Sequence, residues 1–134
     1  MTAVVADTHT IIWYLQNSSK LSLNALNTLE QTIADGNLIY ISAISFVEVV
    51  YLVEKSRVTQ TVLNQFINAL SDPKIGLSLV SIDWSVVQAL TQISRTTVPE
   101  MPDRIIAATA LSLNLPLVTR DHRIQALSSL RTIW

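Results

Sequence analysis

Short apolar runs alternate with longer stretches of helical periodicity along this chain, and that alternation limits its possible folds more than any other feature. Residues 2–6, 38–41, 77–82, 115–119 and 131–134 read as strands, four of them rich in Val, Ile and Leu. Runs this apolar suit strands covered on both faces, the condition of a parallel sheet. Between them lie helical segments at 7–16, 22–34, 43–55, 59–70, 83–94, from 103 onward, and 121–128. Leu23, Leu26, Leu29 and Ile33 recur at helical spacing before the stop Asp35-Gly36, and Val62, Leu63, Phe66, Ile67 and Leu70 form a second apolar face. Ser42 and Asp83 stand where N-caps belong. The order predicts an α/β fold, with a central parallel sheet of about five strands sandwiched between helices. Right-handed crossovers then place binding sites beyond the carboxyl ends of the strands.

With 134 residues the chain is predicted to form a single domain over 1–134. Hydrophobic residues are 49% and charged residues 14%, which excludes a disordered chain and suggests a surface partly covered by a partner or a second copy. There is no cysteine, so disulfides and thiolate metal sites are excluded. No basic leader precedes an apolar stretch, and no window reaches the length of a membrane span; a soluble, cytoplasmic protein is expected. The net charge of −1 says little about nucleic acid, but its distribution says more. From residue 103 onward Arg104, Arg120, Arg123 and Arg131 face only Asp103 and Asp121, or 4 − 2 = +2. That excess reads either as solvated helix ends or as a phosphate-guiding rim around an acidic centre.

Four acids stand at element boundaries or in apolar surroundings: Asp7, Glu48, Asp103 and Asp121. Taken singly, Asp7 and Asp103 read as helix caps and Asp121 as a turn residue. Glu48 sits in mid-helix among Ile44, Val47, Val49, Tyr51 and Leu52. Carboxylates in such places cost folding energy unless paired or bound to a cation. Gathered at one point, they would suit Mg²⁺ or Mn²⁺, hard ions that take a few carboxylates together with water and phosphate oxygens. Other α/β enzymes fit less well. A haloacid-dehalogenase-type phosphatase needs a second Asp two positions after the first, where this chain has His9. A phosphoreceiver domain needs an early acidic pair and a late Lys. A dinucleotide-binding turn needs more than the two glycines present.

The stretches Val5-Ala6-Asp7-Thr8-His9, 41–49, 101–110 and Leu117-Val118-Thr119-Arg120-Asp121 carry these acids in order. On them the chain resembles the PIN-domain ribonucleases, and within those the VapC-like toxins of bacterial toxin–antitoxin pairs. The resemblance covers essentially the whole chain. It implies the strand order 3-2-1-4-5 and a metal-dependent endoribonuclease that leaves a 5′-phosphate and a 3′-hydroxyl. It also implies an RNA substrate, a cognate antitoxin masking the crevice, and a homodimer. Asp7, Glu48 and Asp103 are then expected to hold Mg²⁺ or Mn²⁺, with Asp121 assisting a second ion. Thr8 and Thr119 would support the acids, and Arg104 and Arg120 would meet phosphate or neutralise the neighbouring acid. His9 is expected to make a helix-start hydrogen bond, Glu100 to face solvent, and Trp13, Trp84 and Trp134 to anchor core or interface. The approach Val98-Pro99-Glu100-Met101-Pro102 departs from the longer His-Arg-Asp-Pro-type segment of many relatives, and the fourth acid varies within the family. The rival reading is a binding module that keeps the fold with little catalysis.

Overall fold

The computed structural model describes residues 2–134. Its elements run β1 (Val4–Ala6), α1 (Thr8–Leu15), α2 (Leu23–Ala34), β2 (Ile39–Ser42), α3 (Ala43–Glu54), α4 (Gln60–Ser71), β3 (Leu77–Val80), α5 (Trp84–Leu90), α6 (Met101–Leu113), β4 (Leu117–Val118), α7 (His122–Gln125) and β5 (Thr132–Ile133). The strands form one five-stranded sheet in the order β3-β2-β1-β4-β5, the order the resemblance implies. Every pairing is parallel: Val5 lies opposite Tyr40 on one side and Leu117 on the other. The direction of crossover reverses around β1 and β4, so the crevice of an open α/β sheet falls beyond Ala6 and Val118.

Side chains alternate across the strands and feed two cores. Val4 and Ala6 of β1, with Ile39 and Ile41 of β2, join Ile11, Leu29 and Phe66 on one face. Val5 and Leu117 join Ile106, Ala107 and Ile124 on the other. Phe66 is fully buried and meets Phe46 edge-on at 5.5 Å. Burying a side chain of that size stabilises the fold by about 1.5–3 kcal/mol.

The expected caps form, Ser42 Oγ accepting from Ile44 N and Asp83 Oδ1 from Val86 N, and Ser22 adds a third, its Oγ accepting from Ala25 N. Gly36, at φ +78°, ends the turn after α2 in the left-handed region. Several boundaries differ from the sequence expectation, among them the end of α7 at Gln125 in place of 128. Helix α6 opens at Met101 and not at Asp103, because Pro102 falls in its first turn, where its missing N–H has no intrahelical acceptor to lose. Helix α5 stops at Leu90, short of the expected 94, and gives way to turns. Strand β4 shrinks to two residues, because Asn114 closes α6 at φ +54° and Pro116 cannot donate to a ladder. Among the described residues no helix is long and apolar enough to cross a membrane.

Candidate active site

Asp7 leaves the end of β1 and caps α1, its Oδ1 accepting from Thr10 N at 3.0 Å. Its other oxygen, Oδ2, accepts from the Thr119 hydroxyl at 2.5 Å. Thr119 follows β4, the strand beside β1, and its Oγ1 in turn accepts from Asp121 N at 3.0 Å. One buried hydroxyl therefore links the two acids that close adjacent strands. Asp121 spends Oδ1 on Arg123 N and Ile124 N, capping α7.

Glu48 reaches the same region from α3. Its Oε1 lies 2.5 Å from Thr8 Oγ1, which is also 2.9 Å from the fully buried Ser45 Oγ. A threonine hydroxyl has one proton and an ionised carboxylate only accepts. With Glu48 ionised, the Thr8 proton goes to Glu48 and the Ser45 hydroxyl supplies its own to Thr8. Asp103 enters from the third position of α6. Among the described residues no hydrogen bond reaches its carboxylate.

These four acids line one open cavity of about 900 Å³ together with Thr8, His9, Trp13, Glu100 and Arg120. Burial, with repulsion from the neighbouring acids, raises the carboxyls of Asp103 and Glu48. Burial first, and then the charges of Asp121, Glu48, Asp7 and Glu100, push the Asp103 carboxyl up from 3.8 to about 6. Burial also raises the Glu48 carboxyl; the Thr8 hydrogen bond and His9 oppose the shift, and Asp7 adds to it. The set offers only hard oxygen donors. Among the described residues, however, no group of three or more His, Asp or Glu side chains is arranged to hold a metal ion by itself. Hard oxygen donors of this kind suit divalent ions that keep water and substrate oxygens in their shell.

The fold thus gathers all four expected acids and both supporting threonines, and it corrects the reading of Arg104. That guanidinium turns away from the cavity, Nη2 donating to Leu90 O at 3.2 Å and Ile93 O at 2.9 Å, while Nε is buried without a partner. The turns after α5 present both carbonyls to it, Leu90 O accepting from Ile93 N as well as from the guanidinium. Arg120 stays exposed on the cavity wall, its guanidinium 4.5 Å from the centre of the Trp13 ring. Glu100 is exposed as expected, yet it also lines the cavity mouth and adds to the repulsion on Asp103. His9 packs against Trp13 at 5.6 Å and faces Glu48, with no helix-start hydrogen bond. Trp13 is buried, whereas Trp84 is 70% exposed and stands outside the core. Sequence reading missed Ser45, whose signal was its place one helical turn before Glu48. It also missed His122 as a wall residue; α7 turns it toward the cavity with Arg123, one of the arginines read as a possible phosphate-guiding rim.

An acid-lined crevice at the switch point of a parallel 3-2-1-4-5 sheet defines a PIN-type α/β domain. The model of the PIN domain matches residues 4–130, and the chain belongs to that family. It is similar to Ribonuclease VapC22 of Mycobacterium tuberculosis, at 27% identity over 136 residues covering 100% of both chains. Its fold matches VapBC2 from Rickettsia felis, solved bound to a DNA fragment from their promoter. That match has a TM-score of 0.73 and 21% identity, over 98% of this chain and 97% of that one. A toxin–antitoxin complex from Klebsiella pneumoniae matches with a TM-score of 0.66 and 23% identity, over 95% and 94% of the two chains.

Proposed function

We propose that this chain is a divalent-metal-dependent endoribonuclease and the toxin of a toxin–antitoxin pair. The observation that carries the reading is the convergence of Asp7, Glu48, Asp103 and Asp121, from four separate elements, on one cavity. Asp7, Glu48 and Asp121 are held there by hydroxyls and amides, while among the described residues the Asp103 carboxylate accepts no hydrogen bond and none of the four is ion-paired. The likeness to a protein named as a ribonuclease and to toxin–antitoxin complexes supports the same reading.

In this reading Asp7, Glu48 and Asp103 hold Mg²⁺ or Mn²⁺, and Asp121 assists a second ion. When bound, the metal supplies Lewis acidity toward a phosphodiester and a water acidified for in-line attack. The chain's own residues do the rest. Thr119 fixes the orientation of Asp7, and its link to Asp121 N keeps the two strand ends in register. Thr8 aims Glu48 and favours its ionised form. Arg120 offers positive charge to a phosphate at the wall. The partners that follow are an RNA substrate, a cognate antitoxin and a second copy of the chain, in the cytoplasm. Apolar side chains left exposed, such as Tyr51 at 58% and Met101 at 61%, are available to such partners.

The test is cleavage of RNA by the purified protein with Mg²⁺, with Mn²⁺ and with excess chelator. Cleavage that needs the metal and disappears in Asp103→Asn is expected. A well-folded protein that binds RNA or antitoxin but cleaves nothing under any metal would instead be a binding module.

A further inference from the structure

The cavity wall beside the carboxylates carries an aromatic assembly that metal chemistry does not need. Trp13 lies under the Arg120 guanidinium, 4.5 Å from guanidinium carbon to ring centre. Trp134 meets the same ring edge-on at 6.0 Å, and His9, one helical turn earlier on α1, tilts against it at 5.6 Å. Trp13 is only 7% exposed, so it is a fixed support. Trp134 is itself tied down, its carbonyl accepting from Asn24 Nδ2 at 3.2 Å. The ends of α2 and β5 therefore brace the stack from behind.

Arginine adjoins Asp121 in sequence and shares a cavity with four acids, yet among the described residues its guanidinium contacts the indole face and no carboxylate. Stacking engages the flat face of a guanidinium and leaves its edge of N–H donors free, which is the edge that grips phosphate in bidentate fashion. The indole face is covered by the same contact, so this wall offers no platform for a base. It reads charge and not sequence. Arg120 is also one residue from Thr119, whose hydroxyl holds Asp7, so the cation keeps a fixed relation to the acids.

We propose that Arg120, seated on Trp13 and braced by Trp134, binds a backbone phosphate of a single-stranded RNA beside the carboxylates. Trp13 and Trp134 are positioning residues for that charge. The inference rests on the ribonuclease reading only for the kind of polymer bound. A single strand is the form whose backbone can be splayed into a recess that holds both the acids and the cation.

The experiment is binding without turnover, using the full chain with Asp103→Asn so that the probe survives. Fluorescein-labelled single-stranded oligoribonucleotides of two unrelated sequences are followed by anisotropy across a salt series. Arg120→Ala is expected to weaken both probes equally, by about tenfold. It should also flatten the slope of log K against log salt by about 0.7, the share of one phosphate contact on a single strand. Arg120→Lys should recover only part of the loss, because an ammonium does not stack as a guanidinium does. Trp134→Ala should weaken binding less and flatten the slope in part, but add nothing once Arg120 is gone; Trp134→Phe, which keeps an aromatic brace, should bind like the parent. A purely structural role for Trp134 would lower the melting temperature and leave the salt slope alone. The proposal is overturned if Arg120→Ala keeps the parental slope, if its loss depends on sequence, or if Trp134→Ala costs as much without Arg120 as with it. Binding that behaves as expected in a chain whose parent cleaves nothing supports this inference and refutes only the nuclease reading.

Discussion

Replacing Asp103 by Asn separates what the site costs from what it does. The native carboxyl is raised from 3.8 to about 6, so the folded state holds this proton more tightly than the unfolded chain. The contribution to stability is fully present below about pH 4, declines as the pH rises, and is lost above the folded value near 6. Unscreened, a shift of about two units corresponds to roughly 3 kcal/mol. Asp103 is only half-buried, so screening by solvent reduces that to about 1–2 kcal/mol. Asp103→Asn removes the penalty while keeping the shape. Without metal at pH 8 it should therefore be more stable than the parent by that amount, a rise of roughly 3–8 °C in melting temperature for a domain this size. At pH 4.5 the gap should nearly close. Millimolar Mn²⁺ should reverse the order, because the parent gains a ligand that the variant holds weakly; saturation at a hundred times Kd adds about 2.7 kcal/mol. Thermal melts by circular dichroism at the two pH values, with and without metal, provide the readout. An Asn variant less stable than the parent at pH 8 without metal would show that burial and repulsion do not raise the Asp103 carboxyl, and one that gains as much from Mn²⁺ would show that Asp103 does not hold the ion.

Thr119→Val should cost about 1–3 kcal/mol by leaving a buried polar pair without its shared partner, and should remove most cleavage although it changes no charge; a nuclease assay beside a urea melt checks both. Arg104→Ala should destabilise the fold by about 2 kcal/mol through the two hydrogen bonds lost and the Ile93 carbonyl deprived of this donor, yet keep the parental salt slope for RNA binding, unlike Arg120→Ala. Phe66→Ala should cost about 3–5 kcal/mol by opening a cavity in the core, measurable as a lower denaturant midpoint at unchanged m-value.

The strands and the acids were readable from the chain because each rests on a local rule. An apolar run with a capping residue after it marks the end of a strand wherever it is met, and Asp7, Ser42 and Asp83 all proved to be caps. Strand order was not local, and it came from the resemblance to PIN domains. Arg104 shows where local reading fails. Beside Asp103 in sequence, it looks like a charge partner or a phosphate group. On a helix, however, successive residues project about a hundred degrees apart, so a neighbour in sequence faces elsewhere. Its actual acceptors, the carbonyls of Leu90 and Ile93, exist only because α5 ends early, and nothing in those residues announces that end. Ser45 was missed for the complementary reason. A buried serine on an apolar helix is ordinary by composition, and only contact with Thr8 from another helix gives it a role.

The disposal of the two arginines near the acids bears directly on function. Had Arg104 and Arg120 paired with Asp103 and Asp121, the repulsion would have been neutralised, the fold stabilised, and the cavity left with little affinity for a cation. The fold sends Arg104 to helix-end carbonyls and Arg120 to an indole face. Three of the carboxylates, Asp7, Glu48 and Asp121, are aligned instead by neutral donors: two threonine hydroxyls and the amides of helix starts. Neutral donors orient an acid without cancelling its charge. The negative potential that makes the metal-free site costly thus remains available for a divalent ion to relieve, and the energy released on binding is drawn from strain already present in the folded chain.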